Sequence, residues 1–127
     1  MTPARALIVD DNAINVDLAS FVLRAQDFVV ESASSAEEAV VRTWSFRPDV
    51  ILMDIQMPEV DGLEAIRRLR ADPATRDVVI IAFTAYAMKG DEQKMRAAGC
   101  DGYISKPIDV TTFGQAVRGH ITGSRMA

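Results

Sequence analysis

The stretch Val50-Ile51-Leu52-Met53-Asp54 is an unbroken apolar run that stops on a carboxylate. An alternating run would mark a strand with one wet face, whereas a continuous one suits a strand covered on both faces, as in a parallel sheet. Two similar runs stand on either side of it in the chain: Ala6-Leu7-Ile8-Val9, followed by Asp10-Asp11, and Val78-Val79-Ile80-Ile81-Ala82-Phe83, followed by Thr84. Phe28-Val29-Val30 and Gly102-Tyr103-Ile104-Ser105 are weaker and read as strands nearer the edges.

Between these runs the apolar residues fall at helical spacing. Ile14, Leu18, Phe21, Val22 and Ala25 form one stripe. Ala36, Ala39, Val40, Thr43 and Trp44 form a second, opened by Ser35 and Glu38 at capping-box spacing. Asp61 and Glu64 open a third helix, carrying Leu63, Ile66 and Leu69 and ending near Asp72-Pro73. Met88 to Ala98 make a fourth, stopped by Gly99. Asp109 caps a fifth, with Phe113, Ala116, Val117, His120 and Ile121 on one side. Strict alternation of strand and helix predicts an α/β fold, a three-layer (βα)5 sandwich around a five-stranded parallel sheet with right-handed crossovers. One domain is expected over residues 1–121, with 122–127 as a short flexible tail and no output domain.

Composition narrows the function classes. The chain has 127 residues, 49% hydrophobic and 25% charged, which suits one globular domain and not a disordered chain. Fourteen Lys and Arg against eighteen Asp and Glu leave a net charge of −4, which does not favour nucleic acid, whose binding rests on phosphate neutralisation. The longest apolar run, Val78 to Phe83, is far short of the roughly 20 residues of a membrane span, and no secretory signal opens the chain. Cys100 is alone, which excludes an internal disulfide or a cysteine zinc cluster and fits a reducing cytoplasm.

The polar residues that end the strands carry the chemistry. In open α/β sheets ligands bind beyond the carboxyl ends of the strands, where strand order reverses. If the first and third strands are neighbours there, Asp10, Asp11 and Asp54 converge on one small cleft, with Thr84 and Lys106 closing its far wall. Two carboxylates about 4 Å apart repel by about 4 kcal/mol at an effective dielectric near 20, so such a cluster calls for a cation. Oxygen ligands without His or Cys select a hard ion such as Mg²⁺, which keeps positions open for water and phosphate oxygens. The site therefore reads as one for metal-assisted phosphoryl transfer. Asp54 is the candidate nucleophile, forming an acyl phosphate; Asp11 holds the metal, with Asp10 acting through water. Lys106 and the Thr84 hydroxyl suit phosphoryl oxygens. A carboxylate is already ionised at neutral pH, so no general base is needed.

At these residues the sequence resembles the receiver domain of bacterial two-component response regulators. The matching segments are Leu7-Ile8-Val9-Asp10-Asp11-Asn12, Ile51 to Pro58, Asp61-Gly62, Thr84-Ala85 and Lys106-Pro107, and the resemblance they carry spans nearly the whole chain. The resemblance implies a flavodoxin-like sheet with strand order 2-1-3-4-5. It implies that Asp54 accepts a phosphoryl group from a sensor histidine kinase or a histidine phosphotransfer protein, with Mg²⁺ held by Asp10, Asp11, Asp54 and the backbone carbonyl of Gln56. It also implies a switch in which Thr84 moves toward the phosphate and Tyr103 swings inward, changing the face made by helix 4, strand 5 and helix 5, where a downstream protein binds. Lys106-Pro107 would be a cis peptide, and the surface around Asn12 and Asn15 would receive the phosphodonor. Gln56 and Tyr86 lie where the family tunes phosphate lifetime. The segments Thr84 to Glu92 and Gly99 to Ile108 are most similar to DivK-type single-domain regulators and hybrid-kinase receivers. A monomer or weak dimer is expected, signalling by protein contact and acting as no enzyme beyond its own phosphorylation and dephosphorylation.

Three other readings share this topology. A Mg²⁺-dependent phosphohydrolase would want a spaced Asp-x-Asp at the first strand end, which this chain lacks. A flavin module would want a Gly- or Ser/Thr-rich phosphate loop after the first strand, also lacking. A receiver excised from a hybrid histidine kinase differs only in what surrounds it.

Overall fold

The apolar runs assemble into one parallel sheet in the order β2-β1-β3-β4-β5. The structure, a computed structural model, describes residues 3–55, 62–84, 89–105 and 108–126. Its elements are β1 (Arg5–Val9), α1 (Ala13–Ala25), β2 (Val29–Ala33), α2 (Ala36–Phe46), β3 (Val50–Asp54), α3 (Gly62–Ala71), β4 (Val79–Thr84), α4 (Lys89–Ala98), β5 (Gly102–Ser105) and α5 (Phe113–Met126). All four strand pairings are parallel, and the alternation, the strand order and the three layers agree with the sequence.

Alternation along each strand divides the core in two. Leu7, Val9, Ile51, Met53, Ile80 and Ala82 face α2, α3 and α4, meeting Ala39, Phe46, Ile66, Leu69 and Met95. Ala6, Ile8, Val50, Leu52, Val79 and Ile81 face α1 and α5, meeting Val22, Leu23, Phe113 and Val117. Burying each large aliphatic side chain contributes about 1.5–3 kcal/mol, so the central strands anchor the molecule.

The helix ends follow local chemistry. Ser35 caps α2 by accepting from the Glu38 N–H, as the capping-box spacing predicts. Gly99, at φ +116°, closes α4: its N–H bonds Arg96 O while the Cys100 N–H reaches Met95 O, a Schellman turn. α1 ends in the same turn with Asp27 at φ 67°, and α2 ends on Arg47 at φ 53°. Asp109 accepts from the Thr111 hydroxyl and N–H at the entry to α5, and these bonds hold its carboxyl below the ordinary range.

Three expectations are corrected. The stripe of α1 facing the sheet is Ala19, Ser20, Val22 and Leu23, whereas Ile14 and Phe21 are 77% and 74% exposed. Ala19 and Ser20 let α1 approach the strands while Val22 and Leu23 fill the core beside them, and Ile14 and Phe21 fall on the opposite side of the helix. Trp44 of α2 is likewise half-exposed, its indole N–H donating to Asp72, and Phe46 takes the core position instead. α5 continues as helix to Met126, across most of the expected tail. Among the described residues, no helix is long and apolar enough to cross a membrane.

Candidate phosphoryl and metal site

The pairing of β1 with β3 places Val9 opposite Met53, so the next residue of each chain segment, Asp10 and Asp54, meets at the same end of the sheet. Both are buried, at 1% and 3% exposure, while Asp11 is exposed beside them. Each of the three offers a carboxylate oxygen, and these atoms lie within 4.8 Å of one another. Octahedral Mg²⁺ holds oxygen ligands at about 2.0–2.1 Å, which separates them by about 3–4 Å across the ion. The cluster fits such an ion with sub-ångström adjustment, or with one carboxylate acting through water.

The local chain is arranged to keep these acids together. One oxygen of Asp10 accepts the Asn12 N–H at 2.9 Å, and the Asp10 N–H is tied to Ala33 O at the end of β2. Asn12 in turn caps α1, its side-chain oxygen accepting from the Ile14 and Asn15 N–H groups. The positive end of α1 thus faces the cluster and offsets part of its repulsion. Beside the acids a shallow cleft of about 380 Å³ continues over Ser32 and Ser34 to Glu38 and Arg42. Arg42 bridges Glu38 at 3.0 Å and Glu31 at 3.1 Å, and the Glu38 contact is the main reason its guanidinium holds its proton more tightly. The i,i+4 spacing of Glu38 and Arg42 was readable in the sequence; the reach to Glu31 was not.

Thr84 closes β4, in register with Ser105 of β5. Tyr103 lies opposite Ala82 and is 38% exposed. Lys106, Pro107, Gln56 and Tyr86 lie outside the described residues, and with them the cis peptide and the Gln56 carbonyl ligand. The structure therefore brings together Asp10, Asp11 and Asp54, and sets the ends of β4 and β5 side by side at the same edge.

Comparison with known proteins decides the family. The response regulator receiver domain model matches residues 6–118. The chain belongs to the response regulator receiver family. It is 41% identical over 119 residues to the polar-differentiation response regulator DivK of Brucella anthropi, covering 94% of this chain and 97% of that one. The DivK of Brucella ovis is 42% identical over 115 residues, covering 91% and 94%. Among solved structures, the chemotaxis response regulator CheY4 of Vibrio cholerae superposes with a TM-score of 0.86 at 28% identity, covering 94% and 99%. The receiver domain of the sensor histidine kinase PA1611 from Pseudomonas aeruginosa, which has a magnesium ion coordinated in its active-site cleft, gives 0.85 at 32% identity, covering 94% and 98%. The receiver reading of the sequence and its likeness to DivK-type regulators both hold. The chain is a receiver-type response regulator of two-component signalling.

Proposed function

We propose that Asp54 is the phosphoacceptor and that Asp10 and Asp11 hold Mg²⁺ with it. The observation that carries this reading is the gathering of three carboxylates, two of them buried, at the ends of β1 and β3. Bound Mg²⁺ would neutralise charge on the entering phosphoryl group. Asp54, already ionised, attacks phosphorus; the new P–O bond forms as the P–N bond to a donor histidine breaks, and that imidazole takes up a proton. Thr84 and Lys106 bind phosphoryl oxygens, and the Gln56 carbonyl completes the metal ligands. The activity is confined to self-phosphorylation and its reversal.

The donor is a sensor histidine kinase or a histidine phosphotransfer protein, docking on α1, where Ile14, Leu18 and Phe21 stand in the open. Tyr103, part-exposed on β5, reports phosphorylation to a protein partner on the α4–β5–α5 face, with the chain remaining a monomer or weak dimer in the cytoplasm. The similarity to a kinase receiver keeps a second reading in view, in which this domain relays phosphate within a hybrid kinase.

Incubation with Mg²⁺ and a small acyl phosphate, followed by intact mass measurement, tests the assignment. One phosphoryl group on the wild type and none on Asp54→Asn is the expected result; equal uptake by both removes Asp54 from the role. Sustained turnover of a generic phosphoester by the wild type would favour a phosphohydrolase.

A further inference from the structure

A second cleft, of about 610 Å³, lies between α1 and β2, lined by Asp17, Ser20, Phe21, Arg24 and Ser32 among others. It shares Asp17 and Ser32 with the cleft beside the acid cluster, so the two adjoin. Ser20, 7% exposed, contributes a hydroxyl to the wall of this cleft.

β2 is the outermost strand, paired with β1 on one side only. The Val29 N–H donates to Ala4 O and Ala33 O accepts from the Asp10 N–H, so the odd-numbered residues turn their backbone groups toward β1. In a parallel pair the intervening residues face the other way. Val30 and Ser32 therefore face the open edge; the Arg24 guanidinium already reaches Val30 O, which leaves the Val30 N–H and the Ser32 N–H and C=O for an incoming chain. Outward amides, a cleft-lining serine hydroxyl and an exposed phenyl ring match the needs of an extended polypeptide, whose main chain pairs at strand spacing while its side chains fall on the cleft.

We propose that the α1–β2 cleft binds an extended segment of a partner protein, added to the sheet beside β2. Charge sets its polarity. Asp17 lies toward the acid cluster and Arg24 seven residues further along α1, so the segment carries a basic residue near the site end and an acidic one at the other. A hydroxyl or amide side chain between them reaches Ser20, and Phe21 is covered. None of these contacts uses a carboxylate of the acid cluster, so the inference stands apart from the phosphoacceptor reading, although the segment and the proposed phosphodonor share Phe21.

The test uses the full chain and synthetic peptides of alternating Val and Thr, with Lys at one end and Glu at the other, in both charge orders. Amide hydrogen exchange is followed by NMR at millimolar peptide. Slowed exchange of the Val30 and Ser32 N–H groups is expected, with one charge order binding about tenfold more tightly than the other, a difference of about 1.4 kcal/mol. Ser32→Pro deletes the outward N–H at an edge position where no bond to β1 depends on it, and should abolish binding. Asp17→Arg, on the exposed side of α1, should reverse the preferred charge order. Both variants are checked for native melting; Asp17→Arg decides the matter if Ser32→Pro does not fold. Binding that ignores Asp17→Arg, or no protection of Val30 and Ser32 by any peptide, overturns the proposal. A concentration-dependent dimer protecting the same amides in sedimentation and exchange would replace the partner with a second copy of this chain.

Discussion

Asp10 and Asp54 each follow one member of the register pair Val9–Met53, and both carboxylates are buried at that junction. On the proposed reading, their mutual repulsion, together with that of Asp11, would be relieved by a divalent ion bound to the folded chain alone. Mg²⁺ at a hundredfold excess over its dissociation constant should stabilise the fold by about 2.7 kcal/mol. Asp11 is exposed, so Asp11→Ala should fold normally and lose that shift in thermal melting. Identical shifts in both proteins would move the ion elsewhere.

The outward apolar residues of α1 give a second expectation. Ile14→Ala combined with Phe21→Ala removes exposed side chains and little core, so stability should change by about 0.5 kcal/mol or less. Phosphotransfer from a kinase or phosphotransfer protein should fall about tenfold in kcat/KM, the effect of losing an interface anchor, while uptake from a small acyl phosphate stays unchanged. A matched loss with both donors would place the effect in the acid site.

Arg70 joins elements that the sequence keeps far apart. Its guanidinium donates to Gly99 O at 2.9 Å, to Arg76 O at 2.6 Å, to Val78 O, and to Asp101 at 2.8 Å. Asp101 also accepts the Ile80 N–H, so the end of α3, the start of β4 and the α4–β5 turn share one hub. The hub is partly solvent-exposed, which weakens its ionic component. Arg70→Ala should destabilise by about 2–4 kcal/mol in denaturant titration, and Arg70→Lys should recover less than half, because an ammonium cannot span the same fork.

The left-handed backbone positions predict opposite signs. Arg47 holds φ 53° at the end of α2, where a side chain costs about 1–2 kcal/mol that glycine avoids, less the greater freedom glycine has when unfolded. Arg47→Gly should therefore stabilise by about 0.5–1 kcal/mol. Gly99→Ala should destabilise by about 1–3 kcal/mol, since φ is +116° and the added methyl would stand 2.7 Å from the Arg70 side chain. Melting curves of the two variants read both signs.

Cys100 supplies a pH dependence. Burial pushes its thiol from the ordinary 9.0 to about 11, Arg70 lowering and Asp101 raising it by smaller amounts. A raised folded-state pKa means the contribution is complete below pH 9 and is lost as pH climbs through about 11. Over that window the wild type should lose on the order of 3 kcal/mol relative to Cys100→Ala. Parallel stability curves for the two proteins would show that the thiol titrates normally.

Much of this was legible in the chain before folding. Continuous apolar runs ending in Asp10, Asp54 and Thr84 gave the sheet and gathered the acids, because strand burial and strand-end position are both local properties. The outward face of α1 was not legible: helical spacing finds the largest apolar side chains, and here the sheet takes Ala19 and Ser20 while Ile14 and Phe21 remain outside. Arg70 was equally hidden, since three of its acceptors are backbone carbonyls of loops, which leave no side-chain pattern to read. Phe46 was passed over for Trp44, which lies two residues away on nearly the opposite side of the helix, a choice that only the packed helix decides.

All five residues of β3 are buried, and they alternate between the two halves of the core up to Asp54. Adding or deleting one residue within Val50–Asp54 would turn the Asp54 carboxylate to the opposite side of the sheet and send its apolar neighbours in the strand into the wrong half. The loops of this molecule can take insertions at its surface, but the length of that strand is fixed by the two halves of the core it must serve.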